Sequence, residues 1–227
     1  MEITPETVRW IFIDLFVLLI SIALHEFGHA IMADKLGDDT PRRQGRVTLN
    51  PLAHADPIGT FLLPLVGGLH GAAGGRGGGF GWGKPVQWNP ARINRKWKMG
   101  TAQILVAIAG PGMNFLLALV VATVHTVLVA KGVLHPGSDL NKVFGFTVIT
   151  NFVLMFFNLL PIPPLDGGHV AQQMVPYRHR SKFDEVARFG PFIVLAFALI
   201  PQLAQVFVVP AKWCTSHLYS LLASLVM

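Results

Sequence analysis

The segment His25-Glu26-Phe27-Gly28-His29 has the residue types and the spacing of a metal site built on a helix. Histidines at positions i and i+4 lie on one face of an α-helix, so both imidazoles can reach a single ion. Glu26 is turned to the side of that face, where it can take a proton from an attacking water. The pattern H-E-x-x-H is typical of zinc hydrolases, and it predicts His25 and His29 as ligands and Glu26 as general base.

A His/Glu proton relay is the alternative interpretation of these three residues. They lie in an otherwise apolar stretch, and an ionisable side chain at membrane depth costs several kcal/mol, so three within five positions require a shared function. A third protein ligand would favour the metal site, because catalytic zinc has three protein ligands and one open position.

The third ligand has to come from elsewhere in the chain. Asp166 follows an apolar stretch broken by three prolines and precedes two glycines. Such a break frees backbone groups and lets a carboxylate turn towards a polar cavity, although a solvated aspartate at a helix end has the same pattern. Asp14 lies about 16 Å along the helix from His25, too far to share an ion. The full set of candidates is Asp166, Asp56, His54, His169 and Asp14.

Composition indicates the environment in which these residues act. Hydrophobic residues make up 52% of the 227, and charged residues only 13%, about half the share usual in soluble domains. This shortage of charge excludes disorder and argues against an ordinary cytosolic fold. The only cysteine is Cys214, so any metal site must use histidines and carboxylates. The net charge is +6, and the basic residues cluster between apolar stretches. They are not interleaved with aromatic residues that could stack on bases, which argues against a nucleic-acid partner.

The chain is predicted to be an all-α polytopic membrane protein with about four to six transmembrane helices in one domain, residues 1–227. The strong spans are 8–31, 101–130, 143–160 and 189–209. Residues 57–69 fit a re-entrant segment as well as a span, and the chain after residue 216 fits an interfacial helix or a tilted last segment.

Basic residues predict the orientation of these spans. They cluster after the first span, before the second and after the third, which places those loops in the cytoplasm and the N-terminus outside. The His25 to His29 segment and Asp166 then lie at similar depth near the cytoplasmic face. This match favours Asp166 as the third ligand.

At these residues the chain resembles the site-2 protease family of intramembrane zinc metalloproteases. His25-Glu26-Phe27-Gly28-His29 matches the zinc motif of the family, and Leu165-Asp166-Gly167 matches its second motif. Segments 49–59, 80–86 and 109–114 resemble its compact bacterial and archaeal branch, which lacks PDZ and CBS domains.

The resemblance implies one Zn²⁺ ion held by His25, His29 and Asp166, with Glu26 as base and then as acid to the leaving amine. It also places Asn158 near the catalytic centre, where its amide would bind the substrate backbone or the oxyanion. An interhelical hydrogen bond is the alternative for Asn158. Asn114 fits helix packing better than catalysis.

Two further segments carry open alternatives. His54 and Asp56 lie in a polar loop that could line or gate the site, or be solvated. Residues 80–89, with alternating tryptophans, fit an edge strand or hairpin at the membrane surface that pairs with an extended substrate. They equally fit an interfacial tryptophan anchor.

The predicted function is hydrolysis of a peptide bond within or near the transmembrane helix of a membrane protein, as in regulated intramembrane proteolysis. The predicted partners are a single-span substrate and lipid of the cell membrane. A metal or proton transporter would show ionisable groups along several spans, and a noncatalytic scaffold would lack Glu26. These two are the alternative functions.

Overall fold

The computed structural model describes residues 4–72 and 81–226. Within them the chain is helical and has no β-strand, which confirms the all-α prediction. A π-helical turn (Pro57–Leu62) leads into one of the helices, and three 3₁₀ turns lie in loops. The helices are α1 (Pro5–Lys35), α2 (Thr40–Arg43), α3 (Leu63–Ala72), α4 (Met99–Ala130), α5 (Asp139–Asn158), α6 (Asp166–Met174), α7 (Arg180–Ala187), α8 (Gly190–Leu199) and α9 (Pro201–Val226).

Three of these helices, α1, α4 and α5, are long and apolar enough to cross a membrane. They coincide with the first three predicted spans. Helices α8 and α9 together pass the same test, but their axes differ by 75°. The fourth predicted span, 189–209, is thus not one straight helix: its residues fall in α8 and α9, which form either a broken span or a re-entrant pair. Pro201 disfavours a helical conformation in the preceding residue, and Ile200 is extended. The residues after 216 continue α9.

The apolar segment Pro57–Leu69 is too short to cross a membrane. At 1.5 Å per residue it reaches about 20 Å, against about 30 Å for the hydrocarbon core. Of the two alternatives for this segment, the structure favours the re-entrant or partly inserted one.

Helix α4 is the centre of the fold and contacts α1, α5, α6 and α9. Its seam with α5 and α9 contains fully buried alanines, Ala118 and Ala122 of α4 and Ala211 of α9. Small residues let membrane helices approach closely. The seam with α1 is also close, because a Cβ atom on Gly28 would lie 2.6 Å from the Ala109 carbonyl oxygen. Side chains of α1 can therefore reach the backbone of α4.

Residues 81–89 are the described part of the predicted strand or hairpin, and we call them the strap. The strap has no regular secondary structure. The backbone N–H groups of Trp82 and Lys84 donate to the carbonyls of Gly59 (3.1 Å) and His54 (2.9 Å). Because these groups pair with the π-helical turn and with a loop, and not with a second strand, the hairpin prediction is wrong for the described residues.

Candidate metal centre

Three predicted ligands converge at one point between α1 and α6. The Nε2 atoms of His25 and His29 are 3.1 Å apart. Asp166 Oδ2 lies 3.2 Å from His25 Nε2, and Asp166 Oδ1 lies 3.3 Å from His29 Nε2. Both histidines are buried, and the Asp166 side chain is 15% exposed. The structure thus brings together residues from distant parts of the chain.

Hydrogen bonds to α4 define the tautomer of each histidine. His29 Nδ1 is 2.7 Å from the Val106 carbonyl, which can only accept, so Nδ1 carries the proton. His25 Nδ1 is 2.7 Å from Asn114 Oδ1. The orientation of this amide follows from its Nδ2, which donates to the carbonyl of Ser21 at 3.2 Å. Both Nδ1 atoms are therefore donors, and in a neutral ring Nε2 then keeps its lone pair.

With both rings neutral, the two lone pairs and the Asp166 carboxylate face one another. Three acceptors at this spacing repel one another unless a cation lies among them. Asp166 Oδ2 is buried and has no hydrogen-bond donor in the described part of the chain. Two imidazoles and a carboxylate are a usual zinc donor set, and tetrahedral ligands at about 2.0–2.2 Å from the ion lie about 3.3–3.6 Å apart. The residues present fit a zinc ion after small shifts.

Space for these side chains depends on Gly110 of α4. A Cβ atom there would lie 2.5 Å from Cε1 of His29 and 2.7 Å from Cε1 of His25. Any side chain at this position would displace the imidazoles. Sequence reasoning missed Gly110 and treated Asn114 as packing only. The available signal was their spacing of four residues, which places both on one face of α4.

The turn between α5 and α6 delivers Asp166 to the site. Its prolines end the membrane helix, and two glycines then allow α6 to pack against the turn. A Cβ atom on Gly167 would lie 2.5 Å from the Leu160 carbonyl oxygen, and one on Gly168 would lie 2.6 Å from the Ile162 carbonyl carbon. Asp166 is therefore not the solvated helix-end aspartate of the alternative interpretation.

Glu26 lines the same cavity as the three converging side chains. The volume of this cavity is about 650 Å³. Its Oε2 accepts a hydrogen bond of 3.0 Å from the backbone N–H of Val86 in the strap. This contact joins residues 60 positions apart, and the sequence held no signal for it. The predicted general base is thus anchored beside the predicted ligands. The cavity also has apolar walls, formed by Ile22, Val106, Leu154, Phe157, Leu165 and Val194.

Asn158 lines this cavity near the end of α5. Its Nδ2 donates to the Leu154 carbonyl one turn earlier at 2.9 Å. Within the described residues it has no hydrogen bond to another helix, so the interhelical alternative is not what the structure shows. A role towards substrate remains a prediction.

His169 lines the same cavity but does not belong to the converging group, and two other candidate ligands, His54 and Asp56, have other partners. His54 is fully buried, and its Nε2 is 3.0 Å from the Thr48 carbonyl, so the solvated alternative is wrong for this residue. Burial lowers the pKa of His54. The Asp56 carboxylate caps the π-helical turn by accepting from Ile58 N at 3.0 Å and Gly59 N at 2.7 Å. In residues 4–72 and 81–226, the one group of three metal-binding side chains is His25, His29 and Asp166.

Comparisons with known proteins identify the family. The family model of peptidase family M50 matches residues 13–136 and 125–201. "Putative zinc metalloprotease YwhC" of Bacillus subtilis is 35% identical over 189 residues, which cover 81% of this chain and 78% of that protein. "Putative zinc metalloprotease Rip2" of Mycolicibacterium smegmatis is 30% identical over 220 residues, covering 93% and 78%. No solved structure matches the chain. The chain is therefore a multi-pass membrane protein of peptidase family M50, the site-2 protease family.

Proposed function

We propose that this protein is an intramembrane zinc metalloprotease that hydrolyses a peptide bond within or near the transmembrane helix of a membrane-protein substrate. One observation carries the proposal: Glu26 and the group of His25, His29 and Asp166 line a single cavity walled by apolar helices. Two similar proteins carry the name of zinc metalloprotease, which agrees with the proposal. A zinc ion held by that group supplies Lewis acidity, which activates water and polarises the scissile carbonyl.

Glu26 acts as general base and then as general acid. Its Oε2 is held by the Val86 N–H, which leaves Oε1 to accept a proton from the attacking water. The same carboxyl then delivers the proton to the leaving amine. Asn158, on the wall of the cavity, offers an amide to the substrate backbone or to the developing oxyanion.

The substrate is a single-span membrane protein. Its amides are hydrogen-bonded within its helix, so part of that helix must unwind before the scissile carbonyl can enter the cavity. The strap lines the cavity at Gly81, Gly83 and Pro85, and an unwound segment that enters the cavity would contact it. Basic loops next to the spans support a site near the cytoplasmic face of the cell membrane.

Neither alternative function has comparable support. A transporter needs ionisable groups along several spans, whereas the described residues hold a single potential metal group. A noncatalytic scaffold would have no use for a general base, and Glu26 is present beside the ligands.

The test is cleavage of a tagged single-span substrate in liposomes by wild type and by Glu26→Gln. We expect Glu26→Gln to cleave about 10²–10⁴-fold more slowly while retaining its zinc. A chelator should stop wild-type cleavage, and added zinc should restore it. Mass spectrometry should map the cut within or near the transmembrane segment. Equal cleavage by Glu26→Gln, or zinc transport without cleavage, would show that the proposal is wrong.

A further inference from the structure

A chain of buried amides extends from His25 across three membrane helices. His25 Nδ1 donates to Asn114 Oδ1 on α4 at 2.7 Å. Asn114 Nδ2 donates to Asn151 Oδ1 on α5 at 2.9 Å and to the Ser21 carbonyl on α1 at 3.2 Å. Asn114, Asn151 and Ser21 all have 0% exposure. A set of polar side chains this deeply buried among apolar helices needs a specific role.

Every hydrogen bond in this network of buried amides has a defined donor and acceptor. Asn151 Nδ2 donates to the Thr147 carbonyl and to Ser21 Oγ, both at 2.9 Å. Asn151 Oδ1 therefore points at Asn114 and accepts from its Nδ2. That bond in turn leaves only Asn114 Oδ1 to face His25. The Thr147 carbonyl can only accept, so it determines the orientation of the Asn151 amide. The Asn151 amide in turn determines the orientation of the Asn114 amide.

These hydrogen bonds determine the tautomer and the orientation of the His25 ring. A neutral imidazole carries its proton on one nitrogen, and the acceptor at Nδ1 leaves Nε2 with its lone pair towards Asp166. The same bond limits rotation of the ring. His29 receives the equivalent bond from the Val106 carbonyl, which belongs to the backbone of α4. His25 depends on a side chain instead, so its orientation is open to change by mutation.

We propose that Asn114 is a positioning residue that holds His25 in its metal-binding tautomer and orientation, and that Asn151 and Ser21 hold Asn114 in turn. This inference rests on the proposed function, since it assumes that His25 is a zinc ligand. Loss of a hydrogen-bond partner behind a metal-bound histidine typically lowers metal affinity about 10- to 100-fold.

Two substitutions of nearly equal size separate this role from a purely structural one. Asn114→Leu removes the acceptor for His25 and also the donor to Ser21 and Asn151. Asn114→Asp keeps an acceptor oxygen for His25 but loses the same donor. If Asn114 served only to tie the helices together, both variants would be affected alike.

The measurement is zinc affinity of the purified protein in detergent, by competition with a chelator, together with thermal unfolding. We expect Asn114→Leu to bind zinc about 10- to 100-fold more weakly and Asn114→Asp to stay within about threefold of wild type. Asn151→Leu, one step further from the ligand, should have a smaller effect than Asn114→Leu.

Two results would overturn the inference. One is wild-type zinc affinity in Asn114→Leu, and the other is an equal loss in both Asn114 variants. In either case wild type that binds zinc and cleaves its substrate leaves the proposed function standing. Wild-type protein that binds no zinc would overturn both proposals.

Discussion

Buried histidines lie in two polar clusters on the membrane helices, one at the metal centre and one around His125 of α4, and the clusters differ in how the ring nitrogens are matched. At the metal centre, the Nδ1 atoms of His25 and His29 each have an acceptor while both Nε2 atoms face a carboxylate. Further along α4, His125 has a partner for each nitrogen. Its Nδ1 is 2.7 Å from the Tyr219 hydroxyl, and its Nε2 is 2.9 Å from Asn141 Oδ1.

Burial of a histidine is therefore not by itself a sign of a metal site. A neutral imidazole has one donor and one acceptor. Around His125 the Tyr219 hydroxyl donates and Asn141 Oδ1 accepts, so no cation is needed, and stacking on Phe144 at 5.1 Å completes the packing. At the metal centre, two neutral imidazoles and a carboxylate form a surplus of acceptors that a metal cation can fill. The first cluster is suited to chemistry, and the second links α4, α5 and α9.

The largest effect is expected from Asp166→Ala, which removes the carboxylate from the first cluster. Since changes behind a ligand already cost about 10–100-fold in metal affinity, loss of a ligand should cost more than about 100-fold. Zinc content and competition with a chelator measure it. Asp184→Ala, on the exposed surface of α7, is the control. Full zinc in a folded Asp166→Ala protein would remove Asp166 from the site.

The next effect is expected from Gly110→Ala, because the added methyl would meet both imidazoles. Zinc binding and cleavage should both fall at least about tenfold, the smaller end of the range for disturbed ligand orientation. Gly112→Ala is a matched control on the same helix, since a Cβ atom there meets nothing within 4 Å. Gly112→Ala should be neutral or stabilising by up to about 1 kcal/mol. Similar zinc loss in both variants would contradict the steric explanation.

A smaller and different effect is expected from His125→Phe in the second cluster. The ring stacking is kept while Tyr219 and Asn141 each lose a partner, at a cost of about 1 kcal/mol in the free energy of unfolding. Thermal unfolding in detergent should show this loss, with zinc affinity unchanged. Loss of zinc from His125→Phe would break the distinction between the two clusters.

The smallest effect is a pH dependence at His54, a buried histidine outside both clusters. Burial lowers its pKa below the usual 6.5, and its Nδ1 has no hydrogen-bond partner in the described part of the chain. As pH falls, the unfolded chain therefore takes up this proton first, so stability holds above pH 6.5 and is lost progressively below it. Thermal unfolding from about pH 8 to about pH 5 should be less pH-dependent in His54→Gln. Equal slopes for both proteins would contradict this assignment.

Much of the fold could be predicted because its signals are local. Spans α4 and α5 were visible as long uncharged stretches and α1 as a long apolar one, and the spacing of His25 and His29 is a property of any helix. The break at Ile200 was missed although Pro201 signals it, because hydropathy alone does not distinguish a bent pair from one span. A strand or hairpin stayed open beside an interfacial anchor for the strap, because alternation of tryptophans cannot show whether a partner strand exists.

The sequence by itself determined the candidate ligands and the general base, since H-E-x-x-H places three groups within two turns of one helix and an aspartate recurs at matching depth. Only the tertiary structure decided that the acceptors behind His25 and His29 come from α4, that Gly110 leaves room for them, and that Val86 holds Glu26. These contacts join residues 60 or more positions apart. Their distances depend on how closely two helix backbones approach, a property that no single segment of sequence carries.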